Sequence, residues 1–120
     1  YADEIAEKFG IKHLYARHPQ SLSEGQKRRV SIAAVVATNP EVLILDEPTV
    51  GQDYKGLCEM VEVLNRIHEE THNTMITVTH DKRCAAALCD RSVWIKDGKV
   101  HKAGKKELID DFFLSGNDKN

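Results

Sequence analysis

The stretch that most constrains the fold runs from Glu41 to Asp53, EVLILDEPTVGQD. Val42, Leu43, Ile44 and Leu45 form an unbroken aliphatic run, long enough for a strand and too short for a helix. A strand that is apolar at every position is expected to be buried on both faces, which needs helices on either side and therefore an α/β sheet. The carboxyl end of such a strand is where open α/β sheets bind their ligands, and there stand Asp46 and Glu47. Successive side chains of a strand point to opposite faces, so the two carboxylates must do different jobs. One can hold a metal ion while the other polarises a water. Pro48 stops the strand pairing and Gly51 lets the chain turn. By itself an apolar run followed by two acids also describes an ordinary strand with solvated carboxylates, and the flanking segments decide between the two.

Upstream, Leu22-Ser23-Glu24-Gly25-Gln26 leads into a helix expected over about 26–38, with Val30, Ala33, Ala34 and Ala37 as its apolar face. Ser23 is a natural N-cap, and Gln26 three residues later completes a capping-box pattern. These features alone describe a well-capped helix. A helix N-terminus also carries roughly half a positive charge and unpaired N–H donors, which suits a phosphate, and Gly25 would let a backbone approach closely. Lys27-Arg28-Arg29 is expected to be a solvated basic face with no chemistry of its own. Downstream, Thr74 to Thr79 (TMITVT) is expected as a second buried strand that delivers His80 and Asp81 to the same edge as Asp46 and Glu47.

The remaining segments frame these. A helix is expected over residues 1–9, with Ile5 and Phe9 inward and Gly10 as its stop. Residues 11–20 carry too many breaks for a regular element; Leu14 and Tyr15 are candidates to dock on neighbours, and His13 and His18 read as solvated. Leu57, Met60, Val61, Leu64, Ile67 and His68 mark an amphipathic helix over about 55–71. A short helix over 82–89, a strand over 92–96, an Asp97-Gly98 hairpin turn with return through residue 102, a helix over 105–114 bearing Leu108, Ile109 and Phe112, and a polar tail follow. At 120 residues this is one small domain or part of a larger one. A formal net charge of −2 gives no electrostatic case for nucleic acid. No apolar stretch approaches 18 residues and no signal-peptide pattern occurs, so neither a membrane span nor an export address is expected. Three cysteines without CxxC spacing are expected reduced, in a cytosolic protein.

Four segments in this order resemble the ABC-type ATPases. LSEGQ resembles the family's LSGGQ signature, ILDEPT its Walker B strand with the adjoining glutamate, VGQD its D-loop, and His80 its switch histidine. The resemblance implies an α/β P-loop NTPase (RecA-like) fold with a mostly parallel sheet, flanking helices and a C-terminal β-hairpin. Residues 1–40 would belong to the helical subdomain, residues 41–115 to the ATPase core, and residues 116–120 to a polar tail. It implies ATP and Mg²⁺ as cofactors. Asp46 would hold Mg²⁺ through water, Glu47 would act as general base, and His80 would contact the γ-phosphate. Ser23, Gly25 and Gln26 would cradle the γ-phosphate of an ATP held by an opposing ATPase subunit, and Asp53 would bridge to that subunit. Glu24 stands where glycine is usual and Gln52 where leucine is usual. No GxxxxGK(S/T) loop occurs, so the phosphate-loop strand is absent and the chain resembles the C-terminal part of a nucleotide-binding domain, expected to be inactive alone. The signature followed by Lys-Arg-Arg is most like energy-coupling-factor and cobalt/nickel importer ATPases. That likeness implies a second ATPase subunit in a homo- or heterodimer and a transmembrane partner, at the inner face of the cell membrane. A soluble ABC ATPase of DNA repair or translation, and a non-catalytic binding fragment, are the alternatives.

Overall fold

The computed structural model describes residues 2–105 and 107–114. The aliphatic run forms strand β1 (Val42–Asp46), which pairs in parallel with β2 (Thr74–Val78), Val42 opposite Thr74 and Asp46 opposite Val78. Their crossover is helix α3 (Tyr54–Thr71), in which Leu57, Met60, Val61, Leu64 and Ile67 are buried as their spacing predicts. His68 is exposed instead, its ring 3.3 Å from Asn73 Oδ1. His72 in the left-handed region (φ 54°) ends the helix.

Neither strand is buried on both faces. Leu43 and Leu45 are 1% and 4% exposed, whereas Val42 and Ile44 are 53% and 65% exposed. In β2, Ile76 and Val78 are also exposed, and Ile44 lies directly opposite Ile76. Burying every side chain of a strand takes a covering layer on each face. Within the described residues of this part of the chain, a layer covers one face only, and the aliphatics of the other form a continuous patch.

Helix α1 (Ala2–Lys8) buries Ile5 and Ala6, with Phe9 also buried, and Gly10 stops it at φ 66°. No single regular element spans residues 11–20, as expected; two short 3₁₀ turns, Lys12–Leu14 and Pro19–Ser21, lie there. Leu14 is buried but Tyr15 is exposed, and His18 Nδ1 accepts the Gln20 N–H. Helix α2 (Glu24–Val36) begins two residues earlier than expected, and Asn39 (φ 54°) with Pro40 follows its end. Its buried residues are Gly25, Ile32, Ala33 and Val36; Ala34 is exposed and Val30 and Ala37 half-buried, so the apolar face expected from the alanines is rotated. Small alanines bury little area, and the bulkier Ile32 and Val36 decide which face packs.

The chain divides into two compact units, residues 1–78 and 79–120. The second unit contains helix α4 (Lys82–Leu88), strands β3 (Ser92–Lys96) and β4 (Lys99–Gly104), and helix α5 (Glu107–Leu114). The hairpin turns through Asp97 (φ 51°) and Gly98 (φ 74°), the positive φ pair that a two-residue turn demands. Trp94 lies opposite Lys102 and Ile95 opposite Val100, so a bulge interrupts the register and β4 runs two residues beyond the expected end. Trp94 meets Phe112 edge to face at 5.3 Å, and Leu108 and Ile109 are buried. The polar tail expected over 115–120 lies outside the described residues, as do Tyr1 and Lys106 at two expected helix starts. No helix among the described residues is long and apolar enough to cross a membrane.

Candidate active site

At the end of β1 the two acids differ in their surroundings. Asp46 is exposed on the face of Val42 and Ile44, and Glu47 is half-buried. The Glu47 N–H donates to the Val78 carbonyl at 2.8 Å, one residue past the paired strands. Glu47 itself adopts a left-handed backbone (φ 50°), which costs a non-glycine residue on the order of 1 kcal/mol. Such strain persists only where the surroundings enforce it, and it gathers at functional sites. Here the enforcing groups are visible. Pro48 and Thr49 are buried, the Val50 N–H donates to the Glu47 carbonyl at 3.3 Å, the Gln52 N–H donates to Thr49 at 3.2 Å, and Gly51 turns at φ 83°.

At the start of α2 the predicted capping box is complete. Ser23 Oγ accepts the Gln26 N–H at 3.1 Å, and Gln26 Oε1 accepts the Ser23 N–H at 3.0 Å. The Ser23 hydroxyl retains its own proton to donate. Gly25 is buried, and a Cβ there would lie 2.7 Å from the Gly51 carbonyl oxygen. The close approach that Gly25 permits is thus already made by this chain's own loop after β1.

Arg28 and Arg29 are not the solvated run expected from composition; both are half-buried. Arg28 Nη1 donates to the Asp46 carbonyl at 3.1 Å. Arg29, with an 18% exposed side chain, donates through Nε to Gln52 Oε1 at 3.1 Å and through Nη2 to the Gly56 carbonyl at 3.4 Å and Glu59 at 3.1 Å. Gln52 Nε2 donates in turn to the Gly25 carbonyl at 2.8 Å. Asp53 caps α3, its Oδ1 accepting the Gly56 N–H at 2.7 Å. From the sequence, Arg28 and Arg29 are a basic run without chemistry of their own and Gln52 is a departure from the family's leucine, so none of the three carries a role there. The available signal was helical spacing: Arg28, Arg29 and Ile32 follow Gly25 by three, four and seven residues, on the face that packs inward.

His80 belongs to the second unit, exposed, two residues past the end of β2. Beside it the Thr79 hydroxyl accepts the Asp81 N–H at 3.0 Å, and Asp81 caps α4 by accepting the Arg83 and Cys84 N–H groups. Burial raises the Asp81 carboxyl, but the Arg83 side chain and the two backbone N–H groups outweigh it and hold it below the usual carboxylate range.

The donor set can be tested against a divalent cation. No three His, Cys, Asp or Glu side chains converge among the described residues. A single carboxylate at a strand end fits Mg²⁺, which keeps several waters and shares its remaining positions with phosphate oxygens. Asp46, exposed at the end of β1, is a carboxylate in such a position.

Residues 1–50 match the ABC transporter family. A putative ABC transporter ATP-binding protein of Methanopyrus kandleri is 46% identical over 108 residues, which are 90% of this chain and 40% of that protein. An energy-coupling factor transporter ATP-binding protein of Enterococcus faecalis is 42% identical over 90% of this chain and 38% of its own length. Among solved structures, a dimeric bacterial ABC transporter cassette matches at TM-score 0.79 and 34% identity, over 88% of this chain and 45% of that one. CbiO1 of Clostridium perfringens, described as part of the ABC transporter complex CbiONQ, matches at TM-score 0.77 and 37% identity, over 92% of this chain and 44% of that one. The chain therefore spans about two fifths of the length of the curated relatives it matches. By fold and by these relatives, the chain is similar over about nine tenths of its length to the ATP-binding proteins of ABC transporters.

Proposed function

We propose that this chain is part of an ATP-hydrolysing subunit of an ABC-type importer, and that Glu47 is its general base. The observation that carries the reading is the backbone of Glu47, held left-handed at the end of β1 and one residue past a candidate Mg²⁺ carboxylate. A water oriented by Glu47 would lose its proton to the Glu47 carboxylate as its oxygen bonds the γ-phosphorus and the bond from that phosphorus to the β-phosphate oxygen breaks, ADP leaving. Asp46 would hold Mg²⁺, which when bound would supply neutralisation of the phosphate charge. For His80, in the second unit, the family resemblance would imply a γ-phosphate contact, a role carried by the sequence motif and not by the placement of the two units. Ser23, through its remaining O–H, and the first turn of α2 at Gly25 and Gln26 face the γ-phosphate of ATP on a second ATPase subunit. Asp53 bridges to that subunit; a carboxylate accepts several hydrogen bonds, so capping α3 through Oδ1 is compatible with this second role. A transmembrane partner at the cytoplasmic face of the membrane completes the assembly, a reading supported by relatives that are energy-coupling factor transporter ATP-binding proteins.

The test is turnover by the complete protein. It is expected to hydrolyse ATP in a Mg²⁺-dependent way, and absence of Mg²⁺-dependent turnover overturns the reading. The 120-residue chain alone lacks a GxxxxGK(S/T) loop, so calorimetry with Mg-ATP is expected to show no micromolar binding. Micromolar affinity there would refute the assignment of phosphate binding to residues outside this chain.

A further inference from the structure

We propose that Gln52 is a positioning residue for hydrolysis, locking the first turn of α2 to the loop that carries Glu47 and Asp53. The inference rests on the ATPase reading above and concerns a residue to which the family resemblance assigns no role. The Gln52 carboxamide uses both of its ends. Nε2 donates to the Gly25 carbonyl at 2.8 Å, and Oε1 accepts from Arg29 Nε at 3.1 Å. Two glycines make room for it. A Cβ at Gly56 would lie 2.7 Å from Gln52 Oε1 and 3.0 Å from Arg29 Nη2, and a Cβ at Gly25 would lie 3.2 Å from Gln52 Nε2. Arg29 is itself held on its far side by Glu59 and the Gly56 carbonyl. The carboxamide thus sits in a fitted slot whose walls come from α2, the loop after β1 and α3.

The chemistry of this slot selects glutamine. A glutamate of the same shape would keep the acceptor for Arg29 but set an oxygen against the Gly25 carbonyl. A leucine would make neither bond and leave the Arg29 Nε–H and the Gly25 carbonyl without these partners. What depends on the slot is spacing. Gly25 belongs to the turn proposed to face phosphate, and Glu47 and Asp53 flank Gln52 in the same loop. With the carboxamide in place, the two sets of groups hold one separation. Without it, each can shift independently, and displacements of about 1 Å in a phosphoryl-transfer site cost on the order of 10²-fold in rate.

The experiment compares Gln52→Leu and Gln52→Glu with the wild type in the complete protein, reading kcat, KM for Mg-ATP and melting temperature. Both variants are expected to lose roughly 10–100-fold in kcat, with KM within about threefold of wild type; Gln52→Leu, which strands the Arg29 and Gly25 groups, also lowers the melting temperature, whereas Gln52→Glu, which keeps the Arg29 contact, is expected to leave it little changed. A purely structural role would move the melting temperature and leave that kcat-against-KM split absent. Unchanged kcat in either variant, or a fall in kcat that tracks KM and the melting temperature together, overturns the inference. If Gln52→Leu fails to fold, Gln52→Glu decides, since it keeps the shape and the Arg29 contact. An inactive wild type would instead overturn the ATPase reading itself, whereas an active wild type with fully active variants overturns only the role of Gln52.

Discussion

Glu47→Gln in the complete protein is expected to slow Mg-ATP hydrolysis by roughly 10²–10⁴-fold, the usual weight of a general base, while nucleotide binding survives. The amide has the shape of the carboxylate and leaves untouched the backbone that places it: the left-handed φ, the N–H bond to Val78 and the turn through Gly51. What it removes is the capacity to take a proton from the attacking water. Asp46→Asn offers the contrast, because it should raise the Mg²⁺ concentration needed for turnover instead of abolishing the proton step. Stopped turnover with retained ATP binding is the pattern that supports the assignment. Near wild-type turnover in Glu47→Gln would mean that another group accepts the proton, and the role given to Glu47 would be wrong.

Leu64→Ala is expected to destabilise the protein by about 2–5 kcal/mol, the cost of deleting a fully buried leucine and leaving a cavity. Leu64 is 0% exposed and lies on the α3 stripe with Met60 and Ile67, at 1% and 2%. Against a total stability of about 5–15 kcal/mol for an ordinary domain, this is among the largest losses one substitution can cause. A urea titration should show a lowered midpoint with an unchanged slope. Glu62→Ala, on the exposed side of the same helix, should stay within about 0.5 kcal/mol. A loss below about 1 kcal/mol for Leu64→Ala would show that the α3 stripe is not the core of the first unit.

Features governed by near neighbours along the chain are legible in the amino-acid sequence. The capping box of Ser23 and Gln26, the stop at Gly10, the Asp97-Gly98 turn and the period of α3 all involve residues within about four positions of one another. Their geometry is set by the backbone of a single element. The arrival of Asp46 and Glu47 at the end of a strand is equally readable, because an aliphatic run of that length is a local signal; the left-handed turn at Glu47, which ends the strand's alternation, is not. The ABC-type segments rest on these same local patterns, in an order the fold preserves.

The tertiary structure alone decided which faces are covered and which distant polar groups meet. An aliphatic run such as VLIL is compatible with one covered face or two, and the number of layers packed against β1 depends on chain far from it in sequence. The same holds for the polar slot. Gly25 and Gln52 are 27 residues apart, as are Arg29 and Gly56, and composition gives Arg29 and Gln52 no more reason to be held than to be solvated. Packing of α2 against the loop after β1 takes the Arg29 guanidinium out of water, and once it is there every donor must find an acceptor. That requirement, which acts only in three dimensions, is what places Gln52 between Gly25 and Arg29, in the loop that also carries the proposed hydrolytic residue.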